Sequence, residues 1–320
     1  MADNSQRRVI ITGGNTGIGY FTALELVRQG DHVTLACRNL DKAEAAAKKI
    51  EAALTKDGAP SAGRGIVDTA RLDLADLGSV REFAESAPAS IDVLVNNAGV
   101  MMPAKRTETV DGFELQFGTN HLGHFALTGH LLPKLRANDT ATTNDTATTD
   151  AKSGATIVTV SSVAHKQASK LNFDDLQATS GYNPQRMYAN SKLANLLFAL
   201  ELQRRLDKAG ISITSNAAHP GISETALYTS PDGLGSSKIA SFGAAIGLKF
   251  ISQSARAGAL PTLYAIDNGG PGSYTGPRSL FESRGAPGPA KLSAKAQDTE
   301  LARQLWEASE KLTGVVYDLG

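Results

Sequence analysis

The chain's 320 residues balance 32 basic against 32 acidic side chains and are 41% hydrophobic, enough for one large core or two modest domains, with no charge surplus to suggest a nucleic-acid or anionic-membrane surface. Small molecules or other copies of the chain are therefore the expected partners, with a homo-oligomer possible. Cys37 is the only cysteine, which excludes an intramolecular disulfide and a thiolate metal cluster and suits a reducing cytoplasm.

Met1 to Arg8 are polar, and the apolar run Val9-Ile10-Ile11 is too short for a secretory signal or a spanning helix, so a cytoplasmic protein without a membrane anchor is expected. The first predicted strand, Val9–Thr12, runs directly into Thr12-Gly13-Gly14-Asn15-Thr16-Gly17-Ile18-Gly19, which opens a helix reaching about Gly30. Glycines at such a turn let the backbone approach a pyrophosphate, and the helix N-terminus offers it unpaired amides. The spacing is not G-x-G-x-x-G, but its place between strand and helix points to phosphate binding.

The second predicted strand, Val33–Cys37, leads into Arg38 and Asn39, where an NAD-specific site would carry an acid for the ribose hydroxyls. Arg38 instead presents a planar cation suited to a 2′-phosphate. NADP(H) is the expected cofactor; NAD(H), with Arg38 only stacking on adenine, is the alternative. The third strand, Ile66–Leu74, places Asp73 to accept from the adenine amino group, and the fourth, Ile91–Val95, is followed by Asn96-Asn97-Ala98-Gly99, small residues that let a dinucleotide lie across the sheet edge. His121, His124 and His130 lack the i,i+4 zinc-helix pattern and an evident third ligand, so no metal site is expected.

After a helix ending near Leu135-Arg136, the hexapeptide Asn138–Thr143 is repeated at once as Asn144–Thr149, and the stretch 137–153 reads as a mobile surface insertion. Strands at Thr156–Ser161 and Ile211–Ala217 complete the alternation of apolar β runs with helical segments. Continuous apolar strands need cover on both faces, so the expected fold is α/β: a single-domain, doubly wound parallel sheet of Rossmann type with helices on both faces. The stretch 222–250, with Tyr228, Phe242 and Phe250 and few charges, reads as a lid over an apolar substrate. Pro and Gly accumulate from Gly269 to Pro289, and a final amphipathic helix around Asp298–Leu312 carries Trp306; this extension, 269–320, is expected to pack back on the sheet.

Tyr188 and Lys192 are four apart, one helical turn, so an ammonium stands beside a phenol. A free phenol, with a pKa of about 10, exchanges protons poorly near neutrality unless positive charge stabilises the phenolate. The pair suits proton transfer at an alcohol or a carbonyl. Tyr182–Arg186 and Tyr274–Arg278 share the offset, but arginine stays charged and Pro184 and Pro277 argue against a continuous helical turn there.

Thr12–Gly19, Asn96–Gly99, Asn120, Ser161-Ser162, Tyr188–Lys192 and His219-Pro220-Gly221 together resemble the short-chain dehydrogenase/reductase family, from about Arg7 to Asp267. The segments around Arg38, Asn120–Phe125, Ser191–Asn195 and Trp306 to Val315 are similar to its retinol-dehydrogenase-like and WW-domain-oxidoreductase-like branch. The resemblance implies an oxidoreductase moving a hydride between NADP(H) and an apolar ketone, aldehyde or alcohol. It implies that Tyr188 is the general acid/base, that Lys192 lowers its pKa and holds the nicotinamide ribose, that Ser162 (with Ser161 as competitor) bonds the substrate oxygen, and that Asn120 holds a relay water. Cofactor contacts are expected from Thr12, Gly13, Asn15, Thr16, Gly17, Ile18 and Gly19; from Arg38, Asn39, Asp73 and Leu74; from Asn97, Ala98 and Gly99; and from Tyr188, Lys192, Pro220, Gly221, Ile222 and Thr225. Ser162 and Tyr188 lie 26 positions apart, so a longer loop around His165–Gly181 is expected to overhang the substrate. A non-catalytic NADP(H)-sensing or scaffold protein is the rival reading.

Overall fold

Neighbouring residues of the first strand face opposite cores, as the two-residue period of an extended chain requires: Val9 and Ile11 join one apolar cluster, Ile10 another. The computed structural model describes residues 6–56, 64–137, 154–222 and 253–319. The same alternation recurs there at Val93, Leu94 and Val95, and at Ile157 and Val158. Strands apolar on both sides must be covered on both sides.

The sheet has eight strands in the order β3 (Ile66–Arg71), β2 (His32–Cys37), β1 (Arg8–Thr12), β4 (Val93–Asn96), β5 (Thr156–Val160), β6 (Thr214–Ala218), β7 (Tyr274–Ser279) and β8 (Arg284–Pro289). All neighbours pair in parallel except β7 and β8. The helices are α1 (Gly17–Arg28), α2 (Leu40–Lys56), α3 (Leu77–Ser86), the short α4 (Leu115–Phe117), α5 (Gly123–Arg136), α6 (Pro184–Ala209), α7 (Ala255–Asn268) and α8 (Thr299–Thr313). Core residues of α1, α2 and α7 fill one face; those of α3, α5 and α6, with Trp306 of α8, fill the other. The expected single-domain, doubly wound sheet is the observed fold. Because winding reverses between β1 and β4, a crevice opens at the carboxyl ends of these strands.

Several expected boundaries move. β3 stops at Arg71, so Asp73 and Leu74 lie beyond it, and β5 stops at Val160, short of both serines. Ile211 belongs to the end of α6, not to β6: Gly210 turns left-handed (φ 68°) and the Ile211 amide donates back to the Leu206 carbonyl at 3.0 Å. The Pro- and Gly-rich stretch holds β7 and β8, which no periodicity announced. Proline is tolerated because β8 is the sheet edge and β7 pairs with β6 only at Tyr274 and Thr275, leaving Pro277 opposite Pro287.

Trp306 stands edge-on to Phe125 of α5 at 5.1 Å and nearly parallel to Phe198 of α6 at 5.9 Å, with the Arg205 guanidinium 4.4 Å from its ring centre. Tyr317 donates to the Phe125 carbonyl at 2.6 Å. The two decoy tyrosines separate from Tyr188: Pro184 begins α6 after Tyr182, and Tyr274 lies on β7. Among the described residues no helix is long and apolar enough to cross a membrane, and no His, Cys, Asp and Glu group could hold a metal ion. The hexapeptide pair and all of the lid stretch except Ile222 lie outside the described residues.

Candidate active site

Backbone shape makes one end of the crevice. Gly13 takes φ 65°, and a Cβ there would stand 3.0 Å from the Cβ of Ala98. At Gly19 a Cβ would come within 2.5 Å of Asn97 Nδ2 and 2.7 Å of the Gly13 carbonyl oxygen, so any side chain would fill the loop. The Thr16 side chain makes no capping bond, which leaves the first-turn amides of α1 facing the cleft that Asn15, Thr16, Gly17 and Ile18 also line.

Arg38 and Asn39 follow β2 at the cleft wall. Asn39 Oδ1 accepts from the Lys42 amide at 2.9 Å, which starts α2 and brings the Lys42 side chain into the wall as well. Lys42 was not expected there; a reading of Asn39 as a helix cap would have placed it one turn beyond Arg38. Asp73 and Leu74 line the same end, with Asp73 Oδ1 accepting from the Ala75 amide at 3.0 Å. Burial pushes the Cys37 thiol up to about 11, so this cysteine stays protonated and unreactive near neutrality.

Side chains crossing between elements make the other end. Tyr188 and Lys192 lie one turn apart on α6, and both face the cleft. Lys192 Nζ is 5.9 Å from the centre of the Tyr188 ring and donates to the Val160 carbonyl at 3.2 Å. Burial lowers its pKa to about 8, so the ammonium forms below that pH. Asn195 Nδ2 donates to the same carbonyl at 3.1 Å, and Ser161 Oγ donates to the Lys192 carbonyl at 2.7 Å. These bonds tie the end of β5 to the helix that carries the pair. Ser161, which lines the cleft, thereby commits its proton; Ser162 is not among the cleft-lining residues, and its Oγ accepts from the Ala164 amide at 3.2 Å.

Asn120 sits behind the cleft in a π-helical turn, Gly118–Leu122, between α4 and α5. Its Oδ1 accepts from the Val100 amide at 2.8 Å, and its Nδ2 donates to the Val100 carbonyl at 3.0 Å and to Ser191 Oγ at 2.9 Å. A Cβ on Gly99 would lie 3.1 Å from Asn120 Oδ1 and 3.5 Å from Lys192 Nζ, so this glycine keeps the two close.

Some expected contacts fall elsewhere. Thr12 is fully buried, and its hydroxyl accepts from the Asn97 and Ala98 amides, each at 2.9 Å, so it supports the cleft without lining it. Asn97 lines the wall while its Nδ2 donates to the Thr12 carbonyl at 2.8 Å. Pro220 reaches the cleft; Gly221 and Ile222 turn away, the first donating its amide to His219 Nδ1 at 3.2 Å and the second to the Ser283 carbonyl at 2.9 Å. Thr225 lies outside the described residues.

A family model described as short chain dehydrogenase matches residues 7–232. Human retinol dehydrogenase 13 is 39% identical over 313 residues, covering 97% of this chain and 85% of its own length. Human retinol dehydrogenase 11 is 36% identical over 315 residues, 97% of this chain and 86% of the relative. A crystal structure of a protein from Mycobacterium paratuberculosis superposes with a TM-score of 0.75 at 41% identity, covering 98% of this chain and 96% of the other. The chain is a member of the short-chain dehydrogenase family of oxidoreductases, in its retinol-dehydrogenase-like branch.

Proposed function

We propose that the protein transfers a hydride between NADP(H) and an apolar aldehyde, ketone or alcohol, with Tyr188 as general acid/base. The observation that carries this reading is the single cleft shared by a glycine loop at a helix N-terminus and a Tyr188–Lys192 pair with a buried amine. The loop fits a dinucleotide: without a Cβ at Gly19 it closes tightly on Gly13 and Asn97, the α1 amides are left for a diphosphate, and Arg38 with Lys42 supplies cations for a 2′-phosphate. When bound, the nicotinamide supplies the hydride.

The protein's own residues handle the proton. Tyr188 gives it to the forming alkoxide in reduction and takes it from the alcohol in oxidation. Lys192, charged below a pH of about 8, stabilises the phenolate and would hold the ribose hydroxyls of the bound cofactor. Ser162 donates to the substrate oxygen with the proton that Ser161 no longer has to offer. Asn120, bonded to Ser191, keeps the π-helical turn against α6, and the lone pair of its backbone carbonyl that His124 does not take would hold a water leading from Lys192. The relatives' names motivate all-trans-retinal as the first test substrate, beside shorter apolar aldehydes. NADPH oxidation with these aldehydes, compared between wild type and Tyr188→Phe, tests the reading; turnover by the variant at wild-type rate would overturn it.

A further inference from the structure

His124 is fully buried on the first turn of α5, one turn after Asn120, and no role in binding or chemistry has yet been given to it. Its two ring nitrogens are both engaged, Nδ1 with the Asn120 carbonyl at 2.9 Å and Nε2 with Thr12 Oγ1 at 2.9 Å. A carbonyl oxygen only accepts, so Nδ1 carries the hydrogen. In a neutral ring Nε2 is then the acceptor and the Thr12 hydroxyl the donor. That direction agrees with the rest of the chain, because the Thr12 oxygen accepts from the amides of Asn97 and Ala98, and the competing acceptor for its proton, the Val95 carbonyl, is farther off at 3.3 Å. An unbroken series of bonds thus runs from the Asn97–Ala98 turn through Thr12 and His124 to the backbone of Asn120.

We propose that His124 is a positioning residue that couples the two ends of the cleft: its Nδ1–H orients the Asn120 carbonyl for the proton relay, and its Nε2 orients the Thr12 hydroxyl that shapes the cofactor wall. The inference rests on the function proposed above. The charged groups that face the ring agree with a neutral imidazole: Lys192 opposes its protonation, burial lowers its pKa to about 4, and the neighbouring His121 is held neutral by burial as well. His121 points its Nε2–H away from the relay, to Ser309 Oγ of α8 at 2.8 Å, since Ser309 commits its own proton to the Leu305 carbonyl. It therefore does not compete for Asn120.

Two substitutions separate the arms. His124→Asn places an amide N–H near the position of Nδ1 and keeps the Asn120 bond while losing Thr12. His124→Gln places an amide oxygen near Nε2 and keeps Thr12 while losing Asn120. The expected result is that His124→Gln lowers kcat for NADPH-dependent retinal reduction about tenfold and displaces its pH profile, with the Kd for NADPH changed by less than about twofold. His124→Asn should raise that Kd, measured by fluorescence titration without substrate, about fivefold and leave kcat within about twofold. Nitrogen-15 NMR of the unliganded protein should show this imidazole as the neutral Nδ1–H tautomer from pH 8 down to about 5. Equal effects of the two variants on both constants, or an Nε2–H tautomer, would overturn the inference. A wild type that binds NADPH yet reduces no apolar aldehyde would count against the proposed function alone, because the binding and NMR measurements would still decide the role of His124.

Discussion

One end of the cleft takes Gly13 to Lys42 from β1, α1, β2 and the start of α2, whereas the other gathers Ser161, Tyr188 and Lys192 from the end of β5 and from α6, with Asn120 of the π-helical turn behind it. The first end works through backbone: positive φ at Gly13, open amides at α1 and the space left at Gly19. The second works through side chains that bond across elements, such as Ser161 to the Lys192 carbonyl and Asn120 to Ser191. Damage to the first should appear as weakened cofactor binding, and damage to the second as slow turnover with binding kept.

The sharpest way to separate the two ends is Tyr188→Phe, which removes the proposed proton donor and little else. We expect kcat with an apolar aldehyde that the wild type reduces to fall by about 10³-fold, within the range of general acid–base catalysis, with NADPH affinity nearly unchanged. A parallel loss of affinity would show that the ends are not independent. Gly19→Val attacks the opposite end, where its side chain would meet Asn97 Nδ2 and the Gly13 carbonyl. The Kd for NADPH by fluorescence titration should rise about 100-fold while circular dichroism stays native; an unchanged Kd would remove the loop from the cofactor site.

Arg38→Ala divides the cofactor end itself. Losing one charge-assisted contact should weaken NADPH about tenfold to 100-fold and leave NADH affinity unaltered, and equal weakening of both would reassign Arg38 to adenine stacking. The smallest effect concerns the rim. His219 is fully buried beside Pro220, with Glu282 at 3.7 Å, and His165 and Lys166 also bear on its charge. Burial lowers its pKa from 6.5 to about 4. Between those values the unfolded chain binds a proton that the folded one refuses, so stability falls as pH drops through this window. Urea unfolding of wild type should lose up to about 1.4 kcal/mol more per pH unit there than His219→Gln. Identical pH slopes would mean that this ring is already charged, or not buried, in the folded protein.

Much of this was legible in the linear chain, for reasons that differ between residues. The parallel sheet follows from strands apolar on both sides, and the glycine loop from its place between a strand and a helix; both are local signals. Tyr188 and Lys192 were legible because helical spacing alone puts them one turn apart, and Pro184 and Pro277 marked the decoys, one opening α6 and the other lying in β7. The strands β7 and β8 were not legible, since Pro277, Pro287 and Pro289 suppress every propensity signal and are permitted only by an edge position that the rest of the sheet creates. The burial of Thr12 behind the cleft was not legible, because its motif position says nothing about which way the hydroxyl points.

Residue order was enough to specify the layers, the glycine loop between β1 and α1 and the placing of Tyr188 and Lys192 one turn apart, because each depends on spacings of a few residues set by strand and helix periods. Folding in three dimensions committed the Ser161 proton to the Lys192 carbonyl, turned Thr12 inward and joined His124 to two segments far apart in the chain. Those outcomes depend on hydrogen-bond directions between elements, and a direction exists only once strands, helices and the π-helical turn have packed around a common core.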